Sequence, residues 1–282
     1  MFMSKHNFYS EQNQISKCSA QVLCGLLLLI HPTFVAGESN TEPAFEGVWM
    51  PSRVSRDDPR WSLADLACSG CTLAGFRYMQ RLLDDPENDG RSIRELLSEV
   101  QEFERRHIGS LLTPAARDKL SQFDPTADPT ISCTPEGDGL EHQITAPLPF
   151  EIEQFNDEIV FRYEYWNAVR RINMDARERA SDAAPTRLGY STGRFEGSTL
   201  VIETMNLIPN MIGLLDGAIR LSSDAKVIER YTLNDNGDRL DLELVFIDPE
   251  NFREPYIGQY SVLLSPGWTL DEYVCEATTG EF

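Results

Sequence analysis

The sequence predicts an α+β protein, mainly β: an N-terminal helical segment leading into an antiparallel β-barrel. Three observations predict it. Apolar residues recur at three- and four-residue spacing in the first part of the chain and at two-residue spacing from Phe150 onward. About nine strand-like runs follow Phe150, most joined by short connections that suit antiparallel neighbours. So many strands would leave unpaired edges, and a barrel or a strongly curved sandwich hides them.

The helical part comes first. Phe45–Trp49 reads as a short opening strand, and 51–61, polar with Pro51 and Pro59, as loop. Leu73, Phe76, Met79, Leu82 and Leu83 have helical spacing, stopped by the Asp and Pro residues at 84–86 and by Asp89-Gly90. Ser92 and Glu95 stand at capping-box spacing before the apolar stripe Ile93, Leu96, Leu97, Val100 and Phe103. Thr113-Pro114 is an N-cap followed by proline at the first helical position, opening a short helix to about Phe123. The stretch 124–149 reads as an ordered, proline-rich loop around Cys133.

The strands follow. They read as 151–155, 159–166, 169–174, 190–195, 199–204, 227–233, 240–247, 260–264 and 270–275. Asn234–Asp238 resembles part of a calcium loop, but the closing Glu is missing and a hairpin turn is the expectation. The helical segment therefore covers about 62–123 and the barrel about 150–276 of a single domain, 38–282.

Residues 1–37 read as a secretory signal. Lys5 and Lys17 precede the apolar run Val22–Ile30, and Val35 and Gly37 fit the small-residue positions of a cleavage site. That run is about half of the ~20 residues a membrane span needs, so cleavage is expected over an uncleaved anchor, with no stable membrane insertion afterwards. The expected location is periplasmic or extracellular. Composition excludes some partners. The formal charge is −20, from 45 Asp plus Glu against 25 Lys plus Arg. Nucleic acid is a poor partner for such a chain, since phosphate binding needs a basic footprint, and an anionic membrane surface is disfavoured likewise.

Four cysteines remain beyond the signal: Cys68, Cys71, Cys133 and Cys275. They allow three pairings, and the nearness of Cys68 and Cys71 favours that pair, leaving Cys133 with Cys275. A C-x-x-C can also serve thiol redox chemistry or a metal. Haem attachment would need His where Thr72 stands, and no second C-x-x-C or paired His completes a zinc site. No cofactor and no metal centre is implied.

A resemblance adds to this reading. The block Gly189–Thr204, GYSTGRFEGSTLVIET, is similar to the pattern GHSxGRWEGDTLVVET of a broad group of exported proteobacterial and acidobacterial proteins without an assigned activity. Phe123–Pro125, Cys133–Pro135, Pro149–Ile152, Tyr163-Glu164, Arg170–Ile172, Asp175 with Arg177, and Asp248-Pro249 follow that group's order of landmarks. The resemblance covers about 110–275 and implies export and a lipocalin-like barrel. Tyr190 stands where the pattern has His, and 172–180 lacks the Gly and His of the group's IYMDGRxHP. Any chemistry of those histidines is lost or replaced here; Tyr190, with an ordinary pKa near 10, is a weaker base at neutral pH.

Two histidines remain beyond the signal, His107 and His142, and no G-x-S-x-G elbow accompanies them. The first functional expectation is therefore a non-catalytic binder of a small lipophilic molecule. Tyr163, Trp166, Arg171, Asp175, Arg194, Met211 and Leu214 are its candidate ligand contacts. The apolar run Leu207–Leu215 is either a lid over a cavity or a loop packed on one barrel end. The second expectation is an acid/base enzyme of the isomerase, hydratase or lyase kind. It would use Glu164, Tyr190 and Glu203 in the lumen, where desolvation raises a carboxylate's pKa. The competing reading of these charges is ion pairs on the solvent side that brace hairpins. A third expectation is an envelope interaction module with no cavity.

Overall fold

The computed structural model describes residues 43–124, 126, 128, 130–135, 138–175, 183–211 and 219–276, all within one unit, Thr41–Phe282. The signal segment, Arg177 and Leu214 lie outside the described residues. Nine strands form a closed barrel: β1 (Gly47–Pro51), β2 (Phe150–Gln154), β3 (Glu158–Tyr163), β4 (Val169–Asn173), β5 (Tyr190–Glu196), β6 (Thr199–Met205), β7 (Lys226–Leu233), β8 (Arg239–Ile247) and β9 (Tyr256–Leu264). Each pairs with the next, and β1 also pairs with β9 through Trp49 and Leu264.

The barrel is mixed, not purely antiparallel. A closed ring with an odd number of strands cannot alternate direction all the way round, so one neighbouring pair must be parallel. That seam is β4–β5, held only by the pairs Ile172–Ser191 and Asn173–Thr192. A parallel pair needs a long crossover, and residues 174–189 supply it. Gly189 ends the crossover at φ +69°, and a Cβ there would come within 2.5 Å of the Met205 carbonyl oxygen. Glycine is what lets the chain enter β5 at that point.

The register assigns every strand residue to a face. Facing pairs around the ring put Phe150, Ile152, Phe161, Tyr163, Ile172, Leu200, Ile202, Val227, Tyr231, Leu242 and Leu244 inside. These buried side chains belong to one contiguous apolar cluster. The expected alternation is therefore present, and it is the closed register that decides which half of it faces inward.

The helical segment lies where expected. α1 (Leu63–Ala67) is capped by Ser62, α2 (Leu73–Asp84) by Thr72, α3 (Ile93–Leu111) by a Ser92–Glu95 capping box and α4 (Pro114–Ser121) by Thr113. Met79, Leu82, Leu96 and Val100 form a small second core between the helices. Thr72 bridges to Gly258 of β9, and Leu112 to Phe252, which seats this layer on the barrel. No helix among the described residues is long and apolar enough to cross a membrane.

Three local expectations are corrected. The proline-rich stretch contains a helix, α5 (Leu140–Thr145), whose Leu140 and Ile144 plug one end of the barrel. Glu164 is not in a strand: β3 ends at Tyr163, and Glu164 opens a short 3-10 turn, Tyr165–Asn167. Residues 270–275 are not a strand either, because β9 pairs with β1 and no edge is left to receive them. They run instead as a strap. Tyr273 exchanges two backbone hydrogen bonds with the Asn167 side chain, and the Asp271 amide donates to Glu164 Oε2. Cys133 and Cys275 tie the strap down at a Cα–Cα distance of 5.8 Å, and Cys68 pairs with Cys71 at 5.2 Å.

Candidate functional site

Polar side chains facing the apolar interior converge on Arg170. Arg170 of β4 and Glu229 of β7 are 2 % and 0 % exposed and form a two-pronged ion pair: Nη1 to Oε2 at 2.9 Å and Nη2 to Oε1 at 2.6 Å. Ser191 Oγ accepts from Arg170 Nε and Nη2, and Thr204 Oγ1 accepts from Nη2 at 2.7 Å. Tyr231 Oη donates to Glu229 Oε2 at 3.0 Å. Burial works against the charge on Arg170, but the adjacent Glu229 carboxylate outweighs it and raises the guanidinium pKa. A buried pair survives only with this degree of hydrogen bonding, since each ion has given up its water.

Tyr163 faces the same centre and is the exception. Its hydroxyl is buried beside Arg170 and Tyr231 without a hydrogen bond of good geometry to either. Burial pushes the phenol pKa up to about 12, so it remains a neutral O–H donor. A buried hydroxyl without a well-aligned partner costs about 1–3 kcal/mol.

The interior centre differs from the expected one by single residues. Arg171, next to Arg170, faces outward, 63 % exposed, and pairs with Glu158. Glu203 faces outward between Arg194 and Lys226, and Arg194, 50 % exposed, also binds Glu196. The outer face of β5–β7 thus carries a ladder of solvent-side pairs, and Glu203 and Arg194 are not in the lumen. Glu164 holds the strap. Glu229 and Arg170 were not among the expected site residues, although the two-residue repeat puts Val227, Glu229 and Tyr231 on one face. The signal for the correct choice was the apolar neighbour two residues away: Val227 and Tyr231 flank Glu229, and Ile172 follows Arg170.

Three expected residues do meet, but on the outside. Arg171, Asp175 and Tyr190 line a polar cleft of about 470 Å³ along the parallel seam. Asn173 Nδ2 donates to Tyr190 Oη at 3.0 Å, and the Asp175 amide donates to Asn173 Oδ1 at 2.7 Å. A second cleft, about 290 Å³, opens at the β2–β3 turn and is lined by Phe155, Ile159, Met174, Gly193 and Phe195 together with the polar Asn156 and Arg194. Ile159 and Phe195 belong to or pack on the interior cluster, so this cleft reaches the barrel's end.

At the opposite end, Trp166 and Met211 both reach Asp138. Trp166 Nε1 donates to Asp138 Oδ2 at 2.6 Å, and Met211 bridges to Asp138 through the backbone. Leu207 packs into the interior cluster, so the described part of the Leu207–Leu215 run is packed over the barrel end. His142 Nδ1 lies 2.8 Å from Asp138 Oδ1, with Asp138 buried and the histidine side chain 34 % exposed. Trp166 holds φ +58° and Asn167 φ +48°, a left-handed pair that turns the indole onto Asp138.

This Asp–His pair carries a pH dependence. Burial lowers the His142 pKa, but the Asp138 hydrogen bond and charge outweigh it, so the folded value stands above the ordinary 6.5. For Asp138, burial raises the pKa while His142 and Trp166 lower it further, below the ordinary 3.8. A raised histidine stabilises fully below its unfolded pKa and loses that as pH rises through the folded value. A depressed carboxylate stabilises above its unfolded pKa and loses that in stronger acid. The pair therefore contributes most between about pH 4 and 6.5. Urea unfolding of wild type and His142→Asn should differ most near pH 5, and the gap should shrink as pH rises through the raised His142 value; a gap that widens with pH would contradict the pairing.

No family model matches the chain, and no curated protein matches it. Among the described residues, no group of three or more His, Cys, Asp or Glu side chains is placed to hold a metal ion.

Proposed function

We propose that this is an exported β-barrel protein that binds a small, largely apolar molecule and carries it unchanged. The observation that carries the reading is the closed barrel whose polar centre, Arg170, Glu229, Ser191, Thr204 and the buried Tyr163 hydroxyl, is set among apolar and aromatic side chains. Binding sites for small molecules have that composition, apolar walls with a few placed polar groups. The cleft at the β2–β3 turn adds support, because Ile159 and Phe195 of its lining belong to or pack on the interior cluster. The signal-like segment, the two disulfides and the resemblance to exported lipocalin-like proteins belong to the same proposal. Within the β5–β6 hairpin, the block that carries that resemblance supplies Ser191 and Thr204, both bound to Arg170. Its polar positions support the fold without requiring catalysis.

The test is a titration with a panel of charged and uncharged lipophiles, followed by intrinsic tryptophan fluorescence. A saturable response is expected for part of the panel. No saturable response from any member would overturn the carrier reading.

The Asp138–His142 pair favours a second reading, an acid/base enzyme working at the capped end of the barrel. His142 has its Nδ1 oriented by a buried carboxylate, the arrangement a general base needs. Conversion of a bound lipophile to product, lost in His142→Asn, would favour the enzyme; ligand recovered unchanged favours the carrier.

A further inference from the structure

Outside the barrel, a cleft of about 330 Å³ lies between the loop after β1 and the end of α1, lined by Ser52, Arg53, Arg56, Leu66, Ala67 and Ser69. Its lining runs against the balance of the chain. Acidic residues outnumber basic ones 45 to 25, yet this cleft has two arginines and no carboxylate. Neither arginine makes an ion pair among the described residues, whereas Arg60 of the same loop is held by Asp58 and Asp238, and Arg239 by Asp65. Two cations lining one cleft without a counter-ion repel each other. Ser52 is 4 % exposed, and its hydroxyl makes no hydrogen bond among the described residues; nor does that of Ser69. Both walls are held in place. On one side the Ser55 amide donates to the Pro51 carbonyl, and Trp61 Nε1 donates to the Ser55 carbonyl at 3.0 Å. On the other, Ser69 lies within the Cys68–Cys71 disulfide loop, and the Cys71 carbonyl accepts from the Gln259 amide of β9 at 3.1 Å.

We infer that this cleft binds a small phosphate monoester. Such a group carries nearly two negative charges at neutral pH and three strong acceptor oxygens. The charge matches two guanidiniums, and the oxygens match their N–H groups and the two unpartnered serine hydroxyls. A carboxylate offers one charge and two oxygens. Leu66 and Ala67 give the ester's organic part an apolar wall. The disulfide then serves to fix Ser69 before the ligand arrives, which spares ordering cost on binding. The site is separate from the barrel interior, and stands or falls apart from the carrier reading.

The experiment is calorimetric titration of the full chain with phenyl phosphate, inorganic phosphate and benzoate at pH 7.5 and low salt. Saturable binding of phenyl phosphate is expected, at least about threefold tighter than inorganic phosphate and about tenfold tighter than benzoate. Arg53→Ala and Arg56→Ala should each weaken it at least about tenfold, and Ser52→Ala by about fivefold. Both arginines are exposed, so their unfolding midpoints in urea should match wild type. Arg94→Ala, an exposed arginine on α3, should leave binding unchanged. No saturable binding of phenyl phosphate would overturn the inference. So would binding that survives both cleft arginine variants, an equal loss in Arg94→Ala, or benzoate binding as tightly as the ester.

Discussion

Removing either partner of the interior ion pair, by Arg170→Ala or Glu229→Ala, is expected to lower the unfolding free energy by about 3–5 kcal/mol, because the remaining charge stays buried without a counter-ion. The neighbouring Arg171→Ala is expected to change it by no more than about 0.5 kcal/mol, because Arg171 is an exposed surface partner of Glu158. The contrast between adjacent arginines separates burial from charge. Replacing both partners together, Arg170→Met with Glu229→Leu, should recover most of the loss, since it removes the desolvation cost along with the attraction. Urea unfolding at neutral pH measures all four. Single variants that cost less than about 1 kcal/mol would mean that water reaches the pair and that the interior is not closed around it.

The second large effect concerns the strap. Cys133→Ala with Cys275→Ala is expected to cost up to about 5 kcal/mol by loop-entropy arithmetic, because the bond closes a separation of 142 residues. Removing Cys68–Cys71, a separation of 3, should cost about 2 kcal/mol or less on the same arithmetic. The long-range bond also fixes the strap whose Tyr273 packs edge-on against Tyr165 and Trp166 at 5.2 Å. Its loss should therefore expose Trp166, and the tryptophan emission of the folded double variant should shift to the red. Equal losses from the two disulfides, or an unchanged emission, would contradict this account of the strap.

Much of the architecture was legible because it is written in short-range terms. The capping box at Ser92–Glu95, the proline after Thr113 and the switch from helical to two-residue spacing at Phe150 all act within a few residues of where they stand. The parallel seam was not legible, since it follows from the number of strands in the closed ring and not from any local feature of β4 or β5. The failure of 270–275 to form a strand has the same origin. That segment alternates as a strand does, but the closing pair β1–β9 leaves it no partner.

The candidate site shows the same division more sharply. By itself the sequence determined that charged and aromatic residues alternate along strands, that the nearness of Cys68 and Cys71 favours their pairing, and that few histidines are available for chemistry. Only the tertiary structure decided which of two adjacent residues points inward, placing Arg170 and Glu229 inside and Arg171 and Glu203 outside. The physical reason is that a strand repeats every two residues. A one-residue change of face leaves the local pattern intact and exchanges the whole set of buried side chains, so the choice falls to register around the closed ring.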